Sequence, residues 1–207
     1  MGLFDFAKKA IKSVSSGTKR EAAKTHQSKS ASTGHVVCRT TAAYQPGKKN
    51  NKTVIILSAP GQAEEKAKKP AAGQTGKTLN KILAEAHKKD PDKFPSKNKD
   101  DYRIVNASKD VHYKKKTGKT EASDKDVMAK KNIDRVTKAL KGKETVVALG
   151  DKAIKVAEKA ATDKKVVKGS HPSMQAMNKK YTSNKSTPAE RASDRVKKYT
   201  KDVLKSK

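Results

Sequence analysis

At 207 residues the chain can hold one ordinary domain with tails or two very small ones; 33% hydrophobic residues, 4% aromatics and no tryptophan limit it to a modest, aliphatic core. Fifty Lys and Arg against 21 Asp and Glu leave a formal charge of +29. Self-repulsion of that size calls for a neutralising partner, nucleic acid first and an anionic membrane surface second, unless the charge reflects a generally lysine-rich proteome.

From the N-terminus, Leu3, Phe4, Phe6, Ala7, Ala10, Ile11 and Val14 recur at helical spacing opposite Lys8, Lys9 and Lys12. They predict a short amphipathic helix that docks on the domain, binds a partner or lies on a membrane. The same stretch lacks the charged start and uninterrupted apolar middle of a signal peptide, and no apolar run approaches the roughly 18 residues that span a bilayer. Residues 15–32 are polar, basic and rich in Ser and Thr, as a linker is. A strand is predicted at 35–40 (HVVCRT). It contains Cys38, the only cysteine, which excludes an intramolecular disulfide and an all-cysteine metal site and suits a reducing compartment.

A turn at 45–51 (QPGKKNN) leads to the strongest strand, 53–57 (TVIIL), a continuous apolar run that suits a sheet covered on both faces. A helix follows over 75–87 and a strand over 102–106 (YRIVN). Ser123 is placed as an N-cap, with Asp126 behind it, for a helix carrying Val127, Met128, Ile133, Val136 and Leu140. Then come a strand at 145–149 (TVVAL), a helix over 152–161 and a short strand at 165–167 (KVV). Thr187-Pro188-Ala189-Glu190 is a capping box with Pro at the first helical position, opening a basic helix to about Leu204. Strands alternating with helices give an α/β fold with a mainly parallel sheet, whose ligand site lies beyond the carboxyl ends of the strands.

Residues 71–78 (AAGQTGKT) fit the loose form of a P-loop, with Ala71 in the first glycine position. A P-loop joins a buried strand to a helix so that backbone N–H groups converge on phosphate. Here the preceding GQAEEKAKKP is charged and ends in Pro70, and TVIIL ends about a dozen residues too early. A P-loop NTPase, in which Lys77 would hold a magnesium nucleotide, therefore fails on context.

The strand ends carry a more specific series: Leu57-Ser58-Ala59-Pro60-Gly61 followed by Glu64 and Glu65, PAAGQTG, IVN ending in Asn106, VVALG ending in Gly150, and Gly169-Ser170-His171-Pro172-Ser173. In order and spacing this series resembles the uracil-DNA glycosylase superfamily, most closely its branch with a G-E-A-P-G first motif, over about residues 53–174. The resemblance implies a three-layer α/β/α domain over 34–182, with the helix and linker over 1–33 and the basic helix over 183–207 as extensions. It implies an enzyme that flips a pyrimidine out of DNA, holds it in a pocket and hydrolyses its bond to the sugar.

His171 matches the motif histidine, which stabilises charge on the pyrimidine O2. Asn106 matches the base-reading Asn, whose amide offers a donor and an acceptor; a strand-end cap is its alternative role. Ala59, Pro60, Gly61, Ala71 and Gly73 would meet the flipped base, while Ser170, Ser173, Gly76 and Lys77 would meet the DNA backbone. The departures matter as much. The branch's motif Glu is Ser58 here, and Ala59 lacks the carboxylate of other branches, so either Glu64 or Glu65 would have to serve as general base or stabilise the developing cation unless both are solvated loop charges. The branch's iron–sulfur cysteines are absent, so no metal cluster or other cofactor is expected.

Ala71 replaces the aromatic residue that stacks on uracil, which makes room for a bulky 5-substituted pyrimidine of the kind found in some viral DNAs and suggests antiviral defence. Ser58 and Ala59 also support a different reading, a non-catalytic DNA-binding protein that retains the fold. Lys197, Lys198, Lys201 and Lys205, like the N-terminal lysines and the basic loop at 113–116 (YKKK), suit backbone binding. The expected protein is a cytoplasmic, nucleoid-associated monomer.

Overall fold

The computed structural model describes residues 39–206. The predicted N-terminal helix and linker, and most of the predicted 35–40 strand with Cys38, lie outside the described residues. Five strands form one sheet: β1 (Tyr44–Gln45), β2 (Thr53–Leu57), β3 (Arg103–Asn106), β4 (Thr145–Leu149) and β5 (Lys165–Gly169), in the order β1-β3-β2-β4-β5. Only β1 runs antiparallel to its neighbour; the other pairs are parallel.

The apolar runs become strands buried on both faces because helices cover both. Ile55, Leu57, Ile104, Val147, Leu149 and Val167 point to one side. They pack against α2 (Gln74–Lys89), α7 (Met174–Lys180) and α8 (Pro188–Lys205) through Leu79, Leu83, Met177, Val196, Tyr199 and Val203. Val54, Ile56, Val105, Val146 and Ala148 point the other way, against α4 (Asp124–Met128), α5 (Lys130–Ala139) and α6 (Asp151–Ala160). Each fully buried aliphatic side chain contributes roughly 1.5–3 kcal/mol, so these two layers carry the fold. The α6 layer is built largely from small residues, Ala153, Val156, Ala157 and Ala160, which lets that helix lie close to the sheet.

Several elements differ from expectation. The segment at Arg39 and Thr40 is irregular, and the antiparallel edge strand is Tyr44–Gln45, paired with Val105 and Ile104. The helix expected from Ser123 to Leu140 is two helices, broken at Ala129 (φ −56°, ψ 135°). Asn132 stabilises the break: its Nδ2 donates to Val127 O and Ala107 O, both at 2.7 Å, supplying a partner to a carbonyl that the interrupted helix leaves open. The Ser123 cap itself forms, accepting from the Asp126 amide. Helices α1 (Gln62–Ala67) and α3 (Lys114–Thr117) bury no residue, so no apolar periodicity marks them in the sequence.

Helix α8 is amphipathic. Lys197, Lys198, Lys201 and Lys205 face solvent, while Val196, Tyr199, Thr200 and Val203 are buried against α2 and β5. The helix packs into the core rather than lying beyond it as an extension.

Candidate active site at the carboxyl rim of the sheet

Beyond Leu57 the chain turns through Ser58-Ala59-Pro60-Gly61, and the segment after β3 runs beside it. Ala107 N–H donates to Leu57 O at 2.7 Å, Ser108 N–H to Ser58 O at 2.9 Å and His112 N–H to Pro60 O at 2.9 Å. On the other side Gly150 closes β4, its N–H donating to Gly169 O at 2.8 Å. Gly150 has φ +107°, and a Cβ there would lie 2.7 Å from Ser58 Oγ and 3.3 Å from His171 Cβ. Only glycine fits that conformation and that gap. Three strand ends thus bring Ser58, Gly150 and His171 together.

Burial lowers the His171 imidazole below its ordinary value, opposed first by the negative charge of Glu121 and then by that of Glu64. The ring is therefore neutral at neutral pH and can donate a hydrogen bond without bringing a fixed charge. The loop that carries it is held from below: the Tyr199 hydroxyl on α8 donates to the Ser170 carbonyl. Ser173 accepts from Ala176 N–H at 3.2 Å and so caps α7. Three buried polar atoms on this rim, Ser58 Oγ, His112 Nδ1 and Ser170 Oγ, have no hydrogen-bond partner in the protein. Each such atom costs about 1–3 kcal/mol, a cost that a polar ligand at the rim would offset.

The two candidate acids hold the site together. Glu64 Oε2 accepts from Gly61 N–H at 3.0 Å, and its Oε1 accepts from Ala72 N–H at 3.0 Å and Gly73 N–H at 3.2 Å. This carboxylate therefore clamps the 70–73 turn to the first motif, with both oxygens engaged. Glu65 accepts from Tyr113 Oη at 2.9 Å and is ion-paired with Lys116. Hydrogen bonds from Lys116 and then Tyr113 hold its carboxyl below the usual range. Glu65 thus links α1 to α3.

Ala71 is 2% exposed and takes φ +49°. A Cβ on Gly76 would lie 1.7 Å from the Ala71 carbonyl oxygen. Gly76 is accordingly buried beneath that carbonyl and cannot touch a phosphate, contrary to expectation, whereas Lys77 beside it is exposed. The turn follows a helix, α1, and not a strand, so the P-loop geometry is absent here. Asn106 is 1% exposed; its Nδ2 donates to Ala42 O at 3.2 Å and its N–H to Ala43 O at 2.8 Å. One of its two amide hydrogens is thus committed to anchoring the edge segment, which is the strand-end role weighed above. Behind it the half-buried guanidinium of Arg135 donates to Asn106 O at 2.7 Å and Ala107 O at 3.2 Å, fixing the end of β3.

Motif reading missed three contributors. Gly150 was visible only as the end of a strand motif, and its role depends on a close approach across the sheet. His112 and Glu121 belong to no spacing pattern and reach the rim through loop geometry. A broad groove of about 1400 Å³ runs along the β1–α5 edge, lined by Tyr44, Arg103, Ser108, Arg135 and Lys138, and does not include His171. Among the described residues, no cluster of three or more His, Cys, Asp or Glu is placed to hold a metal ion, and no helix is long and apolar enough to cross a membrane.

Compared with known protein families, the chain matches the model described as the uracil DNA glycosylase superfamily over residues 45–197, from β1 into α8. No curated protein matches it.

Proposed function

The chain belongs to the uracil-DNA glycosylase superfamily, a family of glycosylase-type hydrolases acting on DNA, and on that premise we propose that it everts a pyrimidine and hydrolyses its N-glycosidic bond, leaving an abasic site. The observation that carries this reading is the meeting of Ser58, Gly150 and His171 at one rim, beside buried polar atoms that lack protein partners. As the C1′–N1 bond breaks, its electron pair moves onto the base, and the neutral His171 ring donates to the O2 atom that gains the charge. A single preorganised donor of this kind is worth about 2.7–4 kcal/mol of barrier. Ala59, Pro60 and Gly61 shape the turn against the extruded nucleotide, and Ser173 and exposed Lys77 reach its phosphates.

Within this function the substrate is a bulky 5-substituted pyrimidine, and the protein acts against viral DNA that carries such bases. The support is the residue type at Ala71, a methyl group where the family resemblance calls for an aromatic ring; in the fold that methyl is 2% exposed and packs in the core on the α2 side, so the turn at 70–73 has to shift to admit the larger base. The test is to incubate the protein with otherwise identical duplexes carrying uracil or a bulky 5-substituted cytosine or uracil, then cleave abasic sites with alkali. Strand breaks at the bulky base in at least tenfold excess over those at uracil are expected. Equal breakage would overturn the substrate class while leaving the glycosylase standing. The rival reading, a DNA-binding protein without catalysis, is favoured by Ser58 and predicts binding with no breaks at any base.

A further inference from the structure

We propose that His112 is the general base of the site, taking the proton of the water that attacks C1′. This rests on the glycosylase reading and fills the gap that reading leaves. Hydrolysis adds a water oxygen to C1′, the C1′–N1 bond breaks with its electron pair leaving on the base, and one water proton must be accepted. The group that would accept it at the first motif is replaced by Ser58, whose hydroxyl is far too weak a base. The neighbouring carboxylates are engaged: Glu64 by three backbone amides, Glu65 by Lys116 and Tyr113.

His112 lies in the loop that follows β3, whose backbone is bonded to this turn. Its N–H donates to Pro60 O at 2.9 Å, and Ser108 N–H donates to Ser58 O at 2.9 Å, so the loop from β3 is tied to the first motif at both ends. The next residue, Tyr113, is fixed to Glu65 at 2.9 Å, which holds this part of the loop in place. Nδ1 of His112 is buried and has no protein partner, although a polar atom so placed costs stability unless something occupies it. In the tautomer protonated on Nε2, Nδ1 carries a lone pair, and imidazole is the side chain best matched to proton transfer near neutral pH. His112 would thus act on the water while His171 acts on the departing base.

The test compares wild type, His112→Asn, His112→Ala, Glu121→Gln and His171→Ala in single-turnover base release, with enzyme in excess over whichever pyrimidine duplex the wild type cleaves fastest. Affinity for a duplex carrying a stable abasic-site analogue is measured in parallel. His112→Asn retains a polar atom near Nδ1 but cannot take the proton. It is expected to lose about a hundredfold in rate, while its affinity stays within twofold and its melting temperature is unchanged. His112→Ala should lose at least as much. A His112→Asn rate within threefold of wild type overturns the proposal, as does a rate loss matched by an equal loss of affinity. A hundredfold loss confined to Glu121→Gln would assign the base to Glu121 and also overturn it. If His171→Ala is inactive and His112→Asn is not, only His112 is misassigned. A wild type that releases no base from any duplex removes the glycosylase reading and this one with it.

Discussion

Gly150 sits where a methyl group would strike both Ser58 and His171, so the spacing of the site depends on a side chain that is not there. The electrostatics of the site depend on His171. Because burial lowers its folded value, the unfolded chain binds a proton that the folded protein excludes. Between the ordinary histidine value near 6.5 and that lower folded value, the unfolded state therefore gains protons and stability falls as pH drops. The charge of Glu121 is the larger of the two that oppose this shift, so Glu121→Gln should push the His171 midpoint lower still. A ring-proton NMR titration of the two proteins checks it; a midpoint that rises or stays put in the variant would show that the carboxylate does not face the ring.

At the scale of elements, α8 supports the loop that carries His171 through a buried hydroxyl. Tyr199 is fully buried and donates to the Ser170 carbonyl, and Gly169 is so close that a Cβ there would meet Val203 at 2.8 Å. Tyr199→Phe removes one hydrogen bond to a partly buried carbonyl, a loss of about 1–2 kcal/mol. Chemical denaturation should show that loss, and base release should slow by about tenfold because the His171 loop is no longer held; unchanged activity with reduced stability would mean that the tie is only structural.

The strands of this layer were legible because TVIIL and TVVAL are buried on both faces, which writes a continuous apolar run into the sequence. The caps at Ser123 and Thr187 were equally plain, since their side chains bond locally. What could not be read depends on tertiary contact. The break at Ala129 needs Asn132 to meet Ala107, and β1 is two residues long and owes its existence to pairing with β3. The amphipathic burial of α8 was hidden by its lysines. In the site, the motif residues announced themselves by order along the chain. Glu64, however, is suited by type to serve as a general base and is occupied as a clamp by geometry.

For the whole molecule, a formal charge of +29 on 207 residues makes affinity for DNA an electrostatic quantity. The lysines of α8 face outward, as does Lys77 at the start of α2, so cations are available on the protein surface. If about six phosphates are neutralised, affinity should fall by roughly a thousandfold across a fourfold rise in salt. Fluorescence anisotropy with a labelled duplex measures that slope. A slope near zero would mean that the charge serves something other than DNA.

The rim joining Ser58, Gly150 and His171 is proposed to break an N-glycosidic bond. Single-turnover release of the free base from a pyrimidine-bearing duplex, by wild type and by His171→Ala at equal folded concentration, tests it most directly. The wild type should release the base and the variant should lose about a hundredfold or more in rate, the cost of one preorganised donor. Equal release by both proteins, or release by neither, would contradict it.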